Sequence, residues 1–264
     1  TVTARRLGQG LLKDSGIALR NGLALATLYS LPISFFVWRH SDSLARFFIE
    51  DPAATPLTTD YVSIVFIGLV FSSYSFVFQG FFTGIEKTKI HMKVTITSNV
   101  LNVYLNAGLI YGSNGVQEFF NEHLSALSLL SYLWGWANFP ALGVKGAAIA
   151  TLISSLWMAI HYAASLLSKQ TNKKYSVFRF SFDSQMMKRQ VQLALPQGLQ
   201  ESVIAIGWSV FYKIVGTIGL VELATTELLF TIMHASFMPA MGVGQACSTL
   251  VSKYMGQGRI KKSE

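Results

Sequence analysis

Six stretches almost free of charge run through this 264-residue chain, and the basic residues between them fall into alternate gaps. The stretches cover 21–38, 61–85, 94–117, 146–168, 191–221 and 228–252, the fifth interrupted by Glu201 and Lys213. A helix needs ~20 predominantly apolar residues to span ~30 Å of hydrocarbon, so each stretch is long enough to cross a bilayer. The first, third, fifth and last gaps hold seventeen lysines and arginines, against only Arg39, Arg46 and Lys145 in the intervening ones. Such an asymmetry orients membrane helices with their basic ends inside. The pattern predicts an integral membrane protein with both ends of this chain in the cytoplasm, most simply in a plasma or bacterial inner membrane. Eight of the thirteen acids fall in the outer gaps.

Composition agrees. Only 13% of residues are charged and 51% are apolar, where a soluble domain carries roughly 25% charge. A soluble helical bundle would also need charged helix faces that these stretches lack. The net charge of +8 borders the spans and suits anionic headgroups, so no nucleic-acid partner is expected. The lone Cys247, inside a span, excludes an intrachain disulfide and a cysteine-cluster metal site. The chain opens on Thr1 within what reads as the end of a helix, as expected of a piece of a longer protein.

Residues 4–10 (Ala-Arg-Arg-Leu-Gly-Gln-Gly) resemble residues 252–258 (Ser-Lys-Tyr-Met-Gly-Gln-Gly) at an offset of 248, with six spans between them. Parallel six-helix repeats would place a motif so; a chance Gly-Gln-Gly helix stop is the plainer alternative. On the repeat reading the complete protein has about twelve helices. Segment 124–144 is uncharged and long, but a span there would put the basic residues of 169–189 outside. With Gly135, Asn138 and Pro140 breaking it and Tyr132, Trp134, Trp136 and Phe139 clustered, it reads as an interfacial or re-entrant segment. Leu44, Phe47, Phe48 and Ile49 are placed on the outer interface in the same way.

No phosphate-binding loop, zinc spacing, nucleophile elbow or dinucleotide fingerprint is present, so neither catalytic residues nor a metal site nor an organic cofactor is expected. Ionisable groups within spans are functional candidates. Glu201 and Lys213 lie roughly 18 Å apart along one helix and do not pair; Glu201 is a candidate for exchanging a proton or holding a cation, while Lys213 either faces a cavity or snorkels to the headgroups. Thr95, Asn99, Asn102 and Asn106 follow a 4, 3, 4 spacing, which puts them on one helix stripe. That stripe faces other helices or a wet cavity. In the sixth span His234, Phe237, Met238, Met241 and Gln245 surround Pro239, Gly242 and Gly244, either as an adaptable substrate wall or as packing around a kink.

Four stretches carry a resemblance to a known family: 80–89, 99–106, 142–151 and 239–246, the last running on to Gly256-Gln257-Gly258. In their order and spacing the chain resembles the multidrug and toxic compound extrusion family. The resemblance implies an all-α, two-lobe, twelve-helix transporter, of which this chain holds about the third to eighth helices. Residues 1–168 would be the last four helices of the first lobe, 169–190 the cytoplasmic linker, and 191–264 the first two helices of the second lobe. It implies antiport by alternating access, exporting organic cations or other amphipathic small molecules against H⁺ or Na⁺, by a protein monomeric when complete. In the span that the resemblance matches to this one many members carry a membrane glutamate, and Glu201 is the only acid here available for that role. A flippase for a lipid-linked saccharide and a non-transporting scaffold are the alternatives; the former would need several cations facing the cavity, and Lys213 is the one basic residue within a span.

Overall fold

The computed structural model describes residues 1–48, 52–123, 129, 131–178 and 183–259. Ile49, residues 124–128 and 130 of the uncharged segment, and Arg179, Lys261 and Lys262 of the basic gaps lie outside them.

The described residues are helical, without strands. Each charge-free stretch lies for most of its length in one long helix: α2 (Leu12–Arg39), α4 (Ala54–Gly84), α5 (Thr88–His123), α7 (Val144–Leu166), α9 (Ser184–Ile218) and α10 (Leu220–Gly256). Short helices complete the order: α1 (Val2–Gly8), α3 (Ser41–Phe48), α6 (Tyr132–Gly135) and α8 (Lys169–Tyr175). By length and composition α2, α4, α7 and α9 can cross a membrane; the asparagines of α5 and the polar residues of α10 hold those two less apolar at similar length. The chain forms two compact units, residues 22–178 and residues 1–21 with 179–264.

In the unit 22–178, α4 packs on α7 and α7 on α5. Small residues allow the approach: a Cβ on Gly146 of α7 would overlap the Leu109 carbonyl of α5. Around it Leu105, Leu109 and Ala150 are buried, with Leu101, Tyr104, Phe139 and Ile149 packed against them. Because the obstacle is backbone, which cannot rotate aside, Gly146→Ala is expected to destabilise the protein by about 1–3 kcal/mol, as overpacking does; a thermal melt of the purified protein checks this.

The charge pattern predicts one continuous span over 94–117, and the structure corrects this. Gly112 sits at φ 75°, ψ 163° inside α5 and breaks it. The break frees the Leu109 and Ile110 carbonyls, which accept from Leu142 N (2.8 Å) and Gly143 N (3.2 Å), while Ser113 N donates to the Phe139 carbonyl (3.1 Å). Irregular backbone at membrane depth survives only where its polar groups are satisfied by protein, and segment 139–143 satisfies them. The described part of the uncharged segment thus lies against α5 without forming a seventh span. Trp134 Nε1 donates to the Tyr104 carbonyl (2.8 Å) and Tyr104 OH to the Leu133 carbonyl (2.7 Å).

At one end of this unit Lys145 Nζ lies 3.4 Å from Asp60, and α3 exposes Phe47. At the opposite end Lys87 Nζ donates to Thr171 Oγ1 (2.8 Å), above buried Phe81, Phe82, Tyr162 and Tyr175. Each pair joins two gaps that charge parity assigns to the same side.

In the second unit Asp183 caps α9, accepting from Met186 N (3.1 Å), as short polar side chains at a helix start do. Asn21 Nδ2 donates to the Asp183 carbonyl (2.8 Å) and Gln190 Nε2 to that of Ala18 (2.9 Å). A second correction falls here. The fifth span ends at Ile218, and the expected gap 222–227 is helical, so that Gly219 alone joins α9 to α10.

Candidate functional site

Three arrangements involve residues singled out from sequence. The first is a pair of matched helix ends. α1 stops at Gly8 and α10 at Gly256, with C-caps Gln9 (φ −72°, ψ −6°) and Gln257 (φ −77°, ψ −5°), followed by left-handed Gly10 (φ 76°) and Gly258 (φ 72°). Their capping hydrogen bonds correspond at the offset of 248: Gln9 to Arg5, Gly10 to Leu7 and Leu11 to Arg6 in one, Gln257 to Lys253, Gly258 to Met255 and Arg259 to Tyr254 in the other. Glycine after a helix end is the usual device for such caps. More telling is that the two ends meet. A Cβ on Gly8 would overlap the Lys253 carbonyl and lie 3.2 Å from Gly256 Cα; a Cβ on Gly256 would overlap the Arg5 carbonyl and lie 3.2 Å from Gly8 Cα. The contact is reciprocal, like an isologous interface about a two-fold axis. A chance helix stop would account for the caps but not for this reciprocity.

The second arrangement is polar and lies in the unit 22–178. On α5 the expected stripe exists: Asn106 Nδ2 donates to Asn102 Oδ1 (2.9 Å), and Asn99, a turn away, is exposed. The buried Asn106 Oδ1 has no hydrogen-bond partner among the described residues. Thr95, at the end of the stripe, lies 3.3 Å from His91 Nδ1, which is 2.5 Å from Tyr162 OH. The sequence reading missed a network between α2 and α4, where Tyr29 OH donates to Ser73 Oγ and Thr27 Oγ1 meets Tyr74 OH, both at 2.9 Å. Its signal was the polar run Ser72-Ser73-Tyr74-Ser75 in the middle of an apolar stretch.

The third is the α9–α10 hairpin. Trp208 and Phe230 pack edge to face with centroids 4.6 Å apart, each eleven residues from Gly219. Continuing this antiparallel register, Glu201 lies at the depth of Phe237, beside Met238 and Pro239. Glu201 is the middle residue of α9. Lys213, only five residues from the end of α9, shares its depth with Thr225, between the levels of Glu222 and Glu227. Glu201, Lys213, His234, Phe237, Met238, Met241 and Gln245 are all exposed in this chain. An unbroken register would align the acid with the aromatic and methionine residues, none of which is enclosed.

Comparison with known proteins bears on what these arrangements belong to. A family model described as MatE matches residues 1–107. A protein of Agrobacterium fabrum described as a probable multidrug resistance protein, NorM, is 25% identical over 98% of this chain and 51% of its own length. One of the same description from Thermotoga maritima is 26% identical over 75% of this chain and 38% of its own. The chain is similar to MATE proteins. Solved MATE structures share its fold. One in complex with MaD3S superposes with a TM-score of 0.78 at 20% identity, covering 99% of this chain and 53% of that one. An outward-facing multidrug resistance MATE transporter gives 0.77 at 19%, covering 99% and 52%. The chain spans about half the length of the curated relatives it matches. The fold is that of an integral membrane protein.

Proposed function

We propose that the complete protein exports organic cations or other amphipathic small molecules by alternating access, exchanging them for inward-moving H⁺ or Na⁺. The observation that carries this reading is the reciprocal meeting of Gly8 and Gly256. Two equivalent helix ends, closed on each other on the side assigned to the cytoplasm, form a seal that must part and re-form in a transport cycle. The multidrug description of the curated relatives supports the substrate class.

Within this reading Glu201 carries the coupling ion. Phe237, Met238 and Met241 form an adaptable apolar wall at its depth, with His234, Gln245 and Lys213 along the same hairpin. Asn99, Asn102 and Asn106 offer amide groups in the other unit, Asn106 Oδ1 being available to accept from a bound molecule. The protein works as a monomer in a plasma or bacterial inner membrane, surrounded by lipid, and needs no organic cofactor or nucleic-acid partner.

The test is reconstitution of the complete protein in vesicles with a fluorescent organic cation, under an imposed H⁺ gradient and then a Na⁺ gradient. Movement driven by either identifies the ion. No movement with either, from protein verified as folded and inserted, refutes the reading.

A further inference from the structure

Beside the Gly8–Gly256 contact, α1, the start of α9 and the end of α10 enclose a cavity of about 610 Å³. Three guanidinium groups line it, those of Arg5, Arg6 and Arg189, together with Gln192 and Ser252, and among the described residues no carboxylate does. Arg6 donates to Gln9 Oε1 (3.1 Å) and lies 3.9 Å from Asp14. Arg5 and Arg189 have no ion-pair partner among the described residues. Like charges gathered at the edge of a low-dielectric slab repel one another unless an anion sits among them. Planar guanidinium forks match phosphate oxygens two at a time. Leu193 and Met255 add apolar surface to the same wall. On the charge asymmetry the cavity opens at the cytoplasmic leaflet, where anionic headgroups are found.

We propose that this cavity binds the phosphoryl headgroup of an anionic phospholipid. Because Arg5 and Arg6 come from one of the two matched helix ends and Ser252 from the other, with Arg189 at the start of α9, the full lining is assembled only while Gly8 and Gly256 are in contact. A bound headgroup therefore stabilises that closure through its preference for one state. The inference rests on the exporter reading for sidedness alone, and its test needs no ion gradient, so the two can fail separately.

The purified complete protein in detergent is titrated with fluorescent phosphatidylglycerol, phosphatidylcholine being the zwitterionic control. Arg5→Gln with Arg189→Gln is expected to weaken phosphatidylglycerol binding about tenfold or more, the scale for removing two cations near anionic lipid. Arg5→Lys with Arg189→Lys recovers part of the loss, and Lys173→Gln with Lys174→Gln on α8 changes nothing. Equal binding by parent and Gln variants overturns the proposal. So does inorganic phosphate binding as tightly as the lipid, which would make this a site for a soluble phosphate.

Discussion

Gly8→Val in the complete protein is expected to cut gradient-driven export at least about tenfold while membrane insertion stays near normal. The added side chain meets backbone, the Lys253 carbonyl and Gly256 Cα, so the helix ends have to separate. Overpacking of this kind costs about 1–3 kcal/mol, and each ~1.4 kcal/mol is tenfold in the balance between closed and open ends. Gly256→Val should act alike, since its Cβ meets the Arg5 carbonyl and Gly8 Cα in mirror fashion. The double variant should be little worse than either single one, because both break one contact. Spin labels at Gln9 and Gln257, both exposed and just past the contact, should show a longer distance in each variant. Wild-type export by both variants would show that closure of these ends is not part of the cycle.

Glu201→Gln should give the second large effect: export driven by a saturating ion gradient falls at least about tenfold, while the substrate Kd moves by less than about threefold. A carboxylate near the centre of a spanning helix costs roughly 2.5–3.5 kcal/mol to insert, a burden with purpose if the group takes up and releases the coupling ion. Glutamine keeps the shape and polarity but neither ionises nor binds a cation by charge. The separation of transport from binding distinguishes coupling from a packing role, which would change both or neither. If the exchanged ion is H⁺, the variant should also lose the dependence of export on pH. Undiminished export at full gradient would remove Glu201 from the mechanism.

The asparagine stripe was legible because helical periodicity depends on local spacing alone: 99, 102 and 106 share a face of any helix containing them, and the Asn106–Asn102 hydrogen bond is that periodicity made visible. The Gly112 break was not, although Gly112-Ser113-Asn114-Gly115 is a weak stretch of helix, because whether a helix breaks in a membrane depends on what accepts its freed backbone groups. Here the acceptors and donors are residues 139–143, about thirty positions away. The run Ser72–Ser75 announced buried polarity, but only the position of α2 made Tyr29 and Thr27 its partners.

By itself the sequence determined the six apolar segments and their helical character, and it set the expectations of sidedness and family. Each of these follows from quantities summed along the chain: the length needed to cross hydrocarbon, the cost of unpaired backbone in lipid, the bias of basic residues toward one side, and motifs in order. The tertiary structure decided how the segments meet. It closed Gly8 on Gly256, joined α9 to α10 through a single residue, packed Trp208 on Phe230, and gathered Arg5, Arg6 and Arg189 around one cavity. Those outcomes depend on close backbone approach and on register between elements up to 248 positions apart, which no local pattern specifies, because each glycine or arginine acquires its role from the surface placed opposite it.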